Sequence, residues 1–302
     1  MHMGPNWGIN IGSTQVEAVL LDGLSRARPF RKMRVPLDPE QGYYYVLGQV
    51  HKLVEVLSAD VGMRPDRIGV STWGQLDPET KTLKNSGSQA LDGKPLLSDL
   101  ETYLGVPVRI ENAANCLTLA ETRFGVVTQI APDARCILGL LIEDRVDGGI
   151  VLNGRIFSGR QGIAGSWGHN YLDAGGGTCD CGRHGCTQTV LSDQALEEFY
   201  ATQGGRMAGV HDIMACAEDG QDDAASETLE RYVYNLAKAL GPVINILDPE
   251  VVVLGGTLSA MDAVYEQGPE LLRRFVHNSR VDTKLVRPQL GHAASAYGAA
   301  LL

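Results

Sequence analysis

Cys179, Cys181 and Cys186 lie in the short run CDCGRHGC, and His169 stands ten residues before the first of them. Soft thiolates with one imidazole at this spacing suit a tetrahedral zinc ion of the Cys3His type. Gly182 and Gly185 let the backbone turn tightly enough to aim Cys181 and Cys186 at one point. Four protein ligands leave no open position for water or substrate, so the zinc expected here is structural. A disulfide and unrelated free thiols are the rival readings of the same cysteines.

Acids offer a second chemistry. Glu143 and Asp144 end an apolar strand pattern, and Asp147 follows just before Gly148 and Gly149. A carboxyl group beside a bound substrate can act as general acid or base. Successive strand residues face opposite ways, so one of Glu143 and Asp144 is expected to point into a site unless the turn breaks the alternation. Two plainer readings stand beside this one: Arg145 pairs with either acid and seals the turn, and Asp147 only shapes a turn. Trp73 and Trp167 suit either stacking on a ligand ring or the core. Cys116, Cys136 and Cys216 read as buried fillers. His184 is expected to face solvent, and His51, His211, His277 and His292 to be surface or helix residues. Tyr43, Tyr44 and Tyr45 read as helix packing or a subunit contact.

These groups need a scaffold. The chain has 302 residues, 44% hydrophobic and 21% charged, which is an ordinary globular composition with length for two packed domains. A net charge of -10 without a basic stripe argues against nucleic acid and anionic membrane as partners. No apolar run reaches bilayer length, and the start MHMGPNWGIN has no secretion signal, so a cytoplasmic location with reduced thiols is expected. Residues 8–22 alternate around a Gly-Ser-Thr turn and predict a hairpin. Helical spacing marks 40–60, 96–104, 113–124 (entered through Asn112), 192–200, 224–246 and 261–275. Strands are expected at 66–72, 106–110, 134–142, 148–153 and 251–254. The alternation argues α/β in two lobes, each opening with a strand, a polar turn and a second strand. The lobes are placed at 1–114 plus 290–302, and at 115–289 with the zinc loop 169–186.

With these segments in place, the chain resembles the ROK family of bacterial sugar kinases and sugar-responsive repressors over nearly its whole length. GINIGSTQVEAVLLD looks like the family's first phosphate loop and ENAANCLTLAE like its catalytic segment. GGIVLNGRIFSGRQGIAGSWGH looks like the sugar-site segment, VVVLGGTLSA like the adenosine-side strand and turn, and SAYGAALL like the closing helix. The resemblance implies a two-domain actin-like ATPase (ribonuclease-H-like) fold, with nucleotide and sugar in the cleft between domains. It also implies a homodimer or homotetramer, ATP with Mg2+ as co-substrate, and structural Zn2+. The missing helix-turn-helix points to the kinase branch. Sugar contacts fall by resemblance on Asn85 (in NSGSQ), Asn112, Ser166, His169 and Gln188.

Several positions depart from the family's pattern. Its catalytic aspartate in Glu-Asn-Asp-Ala-Asn is Ala113, which cannot accept a proton. The metal-side aspartate of the first phosphate loop is Asn10, and that loop's glycine and lysine are Ser13 and Gln15. Where the second phosphate loop is glycine-rich, this chain has Glu143, Asp144, Arg145, Val146 and Asp147. Side chains there keep phosphate from bare backbone N–H groups, and carboxylates repel it. Two sugar-side glutamates have become Ser166 and Gln188. The expectation is a protein for a sugar, aminosugar or cyclitol that has lost phosphotransfer from ATP. It either transforms the sugar otherwise, with Glu143 or Asp144, or only senses it. An atypical sugar kinase of glucokinase or N-acetylhexosamine kinase type is the further alternative.

Overall fold

The computed structural model describes residues 4–23, 29–206, 208–220 and 222–302. The chain divides into two compact units. Unit 1 takes the chain through Ile130, then Gly149–Ala164 and Gln289–Leu302; unit 2 takes Ala131–Gly148 and Gly165–Pro288.

Unit 1 opens with β1 (Asn6–Ile11) and β2 (Gln15–Leu21), the expected hairpin, followed by β3 (Pro29–Pro36) and α1 (Tyr43–Val61). Next come β4 (Ile68–Thr72), the short pair β5 (Gln75–Leu76) and β6 (Leu83–Lys84), then α2 (Leu96–Leu104), β7 (Val108–Asn112), α3 (Ala113–Arg123) and α4 (Val127–Ile130). The sheet order is β3-β2-β1-β4-β7, antiparallel through β1–β3 and parallel through β1, β4 and β7. Alternation decides its two faces. Ile9, Ile11, Val16, Ala18 and Leu20 pack with Val46, Leu47, Val50, Leu53 and Leu57 of α1 and Leu96 and Leu100 of α2. Val19 and Leu21 join a second apolar cluster with Ala120, Ala296 and Tyr297.

Unit 2 begins with β8 (Cys136–Ile142). β9 (Val146–Leu152) leads back into unit 1, where its end pairs antiparallel with β10 (Arg155–Ile156). The rest of unit 2 is α5 (Gln188–Leu191), α6 (Asp193–Thr202), α7 (Val210–Glu218), α8 (Asp223–Leu247), β11 (Val251–Gly256), α9 (Asp262–Leu272) and β12 (Lys284–Val286). β11 lies parallel between β8 and β12, repeating the parallel trio of unit 1. The closing helix α10 (Ala294–Ala299) belongs to unit 1. A Cβ on Gly69 would lie 1.8 Å from the Ala299 carbonyl, so glycine is what lets this helix lie against β4.

The lobe boundary expected at 114/115 would cut α3 after two residues. Packing keeps α3 whole in unit 1: the Thr118 hydroxyl donates to the Ala114 and Gly149 carbonyls, and Asn115 accepts from the Ile150 N–H at 3.1 Å. The same bonds bring 149–164 into unit 1. A buried Glu121 adds to this, accepting from the N–H groups of Val126 and Leu290 at 2.9 and 2.7 Å. None of the described helices is long and apolar enough to cross a membrane.

Candidate zinc centre and acidic turn

His169, Cys179, Cys181 and Cys186 converge in unit 2, with their ligand atoms all within 4.8 Å of one another. His169 ends a short turn, Trp167–His169, whose indole N–H donates to the Asp147 carbonyl at 3.2 Å. The cysteines sit on a loop closed by bridges between Tyr171 and Cys186 and between Thr178 and His184. Gly185 adopts φ +73°, and a Cβ there would meet the Asp173 carbonyl at 2.2 Å, so only glycine fits this step of the loop. Lys238 of α8 anchors the loop from outside through Asp173 at 2.9 Å.

The donor set fits zinc. Cys181 Sγ and Cys186 Sγ are 3.6 Å apart, and Cys179 Sγ and His169 Nδ1 are 3.5 Å apart. A tetrahedron with Zn–S of ~2.3 Å has S···S edges of about 3.8 Å. The 3.6 Å between the Cys181 and Cys186 sulfurs is too long for a disulfide, whose S–S bond is about 2.0 Å, and all three cysteines are free. Burial pushes the Cys179 and Cys186 thiols up and the His169 imidazole down. A neutral imidazole is what a metal needs, and thiolates in such a setting are stabilised by a cation at their centre. His184 lies outside the set, exposed, with Nε2 3.0 Å from the Ala174 carbonyl.

Glu143, Asp144 and Arg145 form the turn between β8 and β9, where the Glu143 N–H donates to the Arg145 carbonyl at 2.9 Å. The alternation therefore stops at Ile142. Glu143 is partly buried and Asp144 is exposed. Sequence reasoning missed a third acid, Asp193 at the start of α6. Its N–H donates to the Glu143 carbonyl at 3.0 Å, and its carboxylate accepts from the Thr257 hydroxyl at 2.7 Å. Burial, then Asp193, then Asp144 push Glu143 up to about 7. Burial raises Asp193 to about 6, with Asp144 and Glu197 adding and Thr257 opposing. The signal in the chain was Ser192-Asp193 at a helix start, a pattern that reads as ordinary capping; Ser192 does cap α6, accepting from the Ala195 N–H.

Several expectations change here. Arg145 pairs with Asp180 at 2.9 Å, not with Glu143 or Asp144. Asp147 is a buried residue of β9 rather than a turn former. Trp167 is core, 4% exposed. Cys216 is exposed on α7 and Cys136 is only partly buried, so Cys116 alone of the three is a buried filler. The tyrosines separate: Tyr43 is buried with its hydroxyl on Asp99 at 2.7 Å, while Tyr44 is 73% exposed.

The residues expected to contact a sugar fall in both units. In unit 2, the Ser166 carbonyl accepts from the His169 N–H at 3.4 Å, and Gln188 donates to Asp180 and accepts from the Val146 N–H, each at 3.3 Å. In unit 1, Asn85 takes φ +57° and donates to Gln75 at 3.2 Å. Asn112 is buried as the N-cap of α3: it accepts from the Ala114 and Asn115 N–H groups and donates to the Gly74 carbonyl at 3.0 Å. Asn85 and Asn112 thus both brace the β5–β6 hairpin region. Ala113 follows as the first residue of α3, 3% exposed. Replacing Asn112 by alanine removes the cap and is expected to lower unfolding free energy by about 1–2 kcal/mol in a urea titration.

Comparison with known proteins places this geometry. The chain is 31% identical to N-acetyl-D-glucosamine kinase of Vibrio vulnificus over 307 residues, covering 98% of both chains. It is 32% identical to the enzyme of the same name from Salmonella typhimurium over 306 residues, again covering 98% of each. Among solved structures, the ROK hexokinase of Thermus thermophilus superposes with a TM-score of 0.81 at 31% identity, covering 98% of this chain and 97% of that one. A ROK family glucokinase from Streptomyces griseus, in complex with glucose and AMPPNP, gives 0.83 at 22% identity over 98% of each chain and shares the fold. The architecture is accordingly the actin-like, ribonuclease-H-like one, with a Cys3His cluster that can hold zinc. The ROK family match runs from residue 6 to residue 302, and the chain belongs to that family.

Proposed function

We propose that this protein binds a sugar, aminosugar or cyclitol and does not transfer the γ-phosphoryl group of ATP to it. The observation that carries the proposal is Ala113. It is the buried first residue of α3, where the family pattern places the base for the sugar hydroxyl. A methyl group accepts no proton, and phosphoryl transfer depends on positioning and activating the nucleophile. The β8–β9 turn supports the same reading, because Glu143, Asp144 and Arg145 stand where a glycine-rich loop would offer bare N–H groups to phosphate. Sugar binding is supported by full-length relatives named as N-acetyl-D-glucosamine kinases. We assign Glu143, raised to about 7, as the candidate acid–base group for a different sugar transformation, with Asp144 as its exposed neighbour. We place the protein in the cytoplasm as a homodimer or homotetramer, with zinc structural and nucleic acid and membrane outside its partners.

The full-length identity to kinases also favours the rival reading, an ATP-dependent sugar kinase with a relocated base. A coupled assay for ADP separates the two. With Mg-ATP and N-acetylglucosamine, N-acetylmannosamine or glucose, sugar-dependent ADP release is expected to stay at background, and Ala113→Asp alone is expected not to raise it. Release above background from the natural chain overturns the proposal. NMR of the same sugars without nucleotide then separates turnover from binding alone. A changed product that Glu143→Gln abolishes supports the catalytic assignment; shifted but unconverted sugar signals support a sensor.

A further inference from the structure

Between them, the two segments that carry the zinc ligands grip three successive residues, Arg145 at the end of the turn and Val146 and Asp147 at the start of β9, and both reach Val146. From the histidine side, the Trp167 indole donates to the Asp147 carbonyl, and Gly168 packs so closely that a Cβ there would lie 2.0 Å from the Val146 carbonyl. From the cysteine side, Asp180, set between Cys179 and Cys181, pairs with Arg145 at 2.9 Å. Gln188, two residues after Cys186, donates to Asp180 and accepts from the Val146 N–H, each at 3.3 Å. The Arg145 carbonyl in turn holds the Glu143 N–H at 2.9 Å, and the Glu143 carbonyl holds Asp193.

We infer that Arg145, Asp180 and Gln188 form a latch through which the zinc loop sets the conformation of the 143–147 turn. The three act on Glu143 as positioning residues, through the backbone of the turn. The Arg145–Asp180 pair is partly exposed, with side-chain accessibilities of 23% and 44%, so as a surface ion pair it contributes little to global stability. Its effect is local: it fixes one end of a turn whose other end is fixed by Asp193. Coupling of this kind is reciprocal, so loosening the turn also weakens metal retention. The bearing of the latch on catalysis rests on the Glu143 assignment above, whereas its hold on the turn does not.

Hydrogen exchange read by mass spectrometry tests it, with zinc content measured on every sample. In zinc-loaded protein, Arg145→Met and Asp180→Asn are each expected to speed exchange of the 143–147 amides about tenfold while β11 stays as protected as before. The charge-swapped pair, Arg145→Asp with Asp180→Arg, is expected to restore protection. Chelation of the natural chain is expected to expose the same amides. If chelation unfolds all of unit 2, the zinc-loaded variants decide. Unchanged exchange at 143–147 in zinc-retaining Arg145→Met overturns the latch, and so does a swap that fails to restore protection. Faster zinc loss from Arg145→Met, timed with a colorimetric chelator, is the reciprocal result expected.

Discussion

Removing zinc with a chelator, or replacing Cys179 by serine, is expected to lower the melting temperature of unit 2 by about 10 °C and leave unit 1 folded. The loop between His169 and Cys186 has little apolar substance of its own. Cys181 and His184 are exposed, and the chain there turns on glycines. Its order rests on the ligand cluster, the Lys238–Asp173 pair and the clamp on β9. Without a cation, the Cys179 and Cys186 thiols stay protonated in their buried setting and the sulfurs lose their common partner. Calorimetry with two resolved transitions, alongside metal analysis of the untreated protein, makes the measurement. Zinc-free preparations with unaltered melting would contradict the assignment.

The second large effect is on stability against pH. Glu143 carries an ordinary value of 4.5 up to about 7 in the folded chain. A folded state that holds a carboxyl proton more tightly than the unfolded state is favoured at low pH. Its contribution is therefore full below about 4.5, falls as pH rises through 7, and is absent above, where the carboxylate must be kept in a partly buried setting. Asp193, raised to about 6, acts in the same direction over a lower window. Glu143→Gln removes the charge and keeps the shape. It is expected to stabilise the protein at pH 8 by at most about 3 kcal/mol and to change little at pH 4.5. Urea titrations at the two pH values read the difference. Equal effects at both would show that Glu143 does not titrate in the expected window.

Some elements were plain in the chain and others were not. The β1–β2 hairpin, α1, β4, α8 and β11 follow directly from hydrophobic period and turn residues. β3 did not: PFRKMRVP is an edge strand whose exposed Phe30, Arg31, Lys32 and Arg34 hide the apolar alternation of Met33 and Val35. β12, with three residues, is defined by its partner β11 rather than by its own pattern. The zinc ligands were legible because metal coordination demands particular residue types at short spacing. Asp193 was not legible, since its tie to Glu143 spans fifty residues of chain and its local pattern is that of any capped helix.

Chemistry that depends on residue identity was already written in the chain. Three thiols and an imidazole can bind a soft metal wherever the loop brings them, and an alanine at 113 cannot be a base in any fold. Tertiary structure decided what depends on neighbours. It turned Arg145 away from Glu143 and toward Asp180, buried Trp167 and Asp147, and joined Asp193 to Glu143. The reason is physical: donor type is a property of one side chain, whereas a pairing, a burial or a displaced proton is set by whatever else the fold brings near.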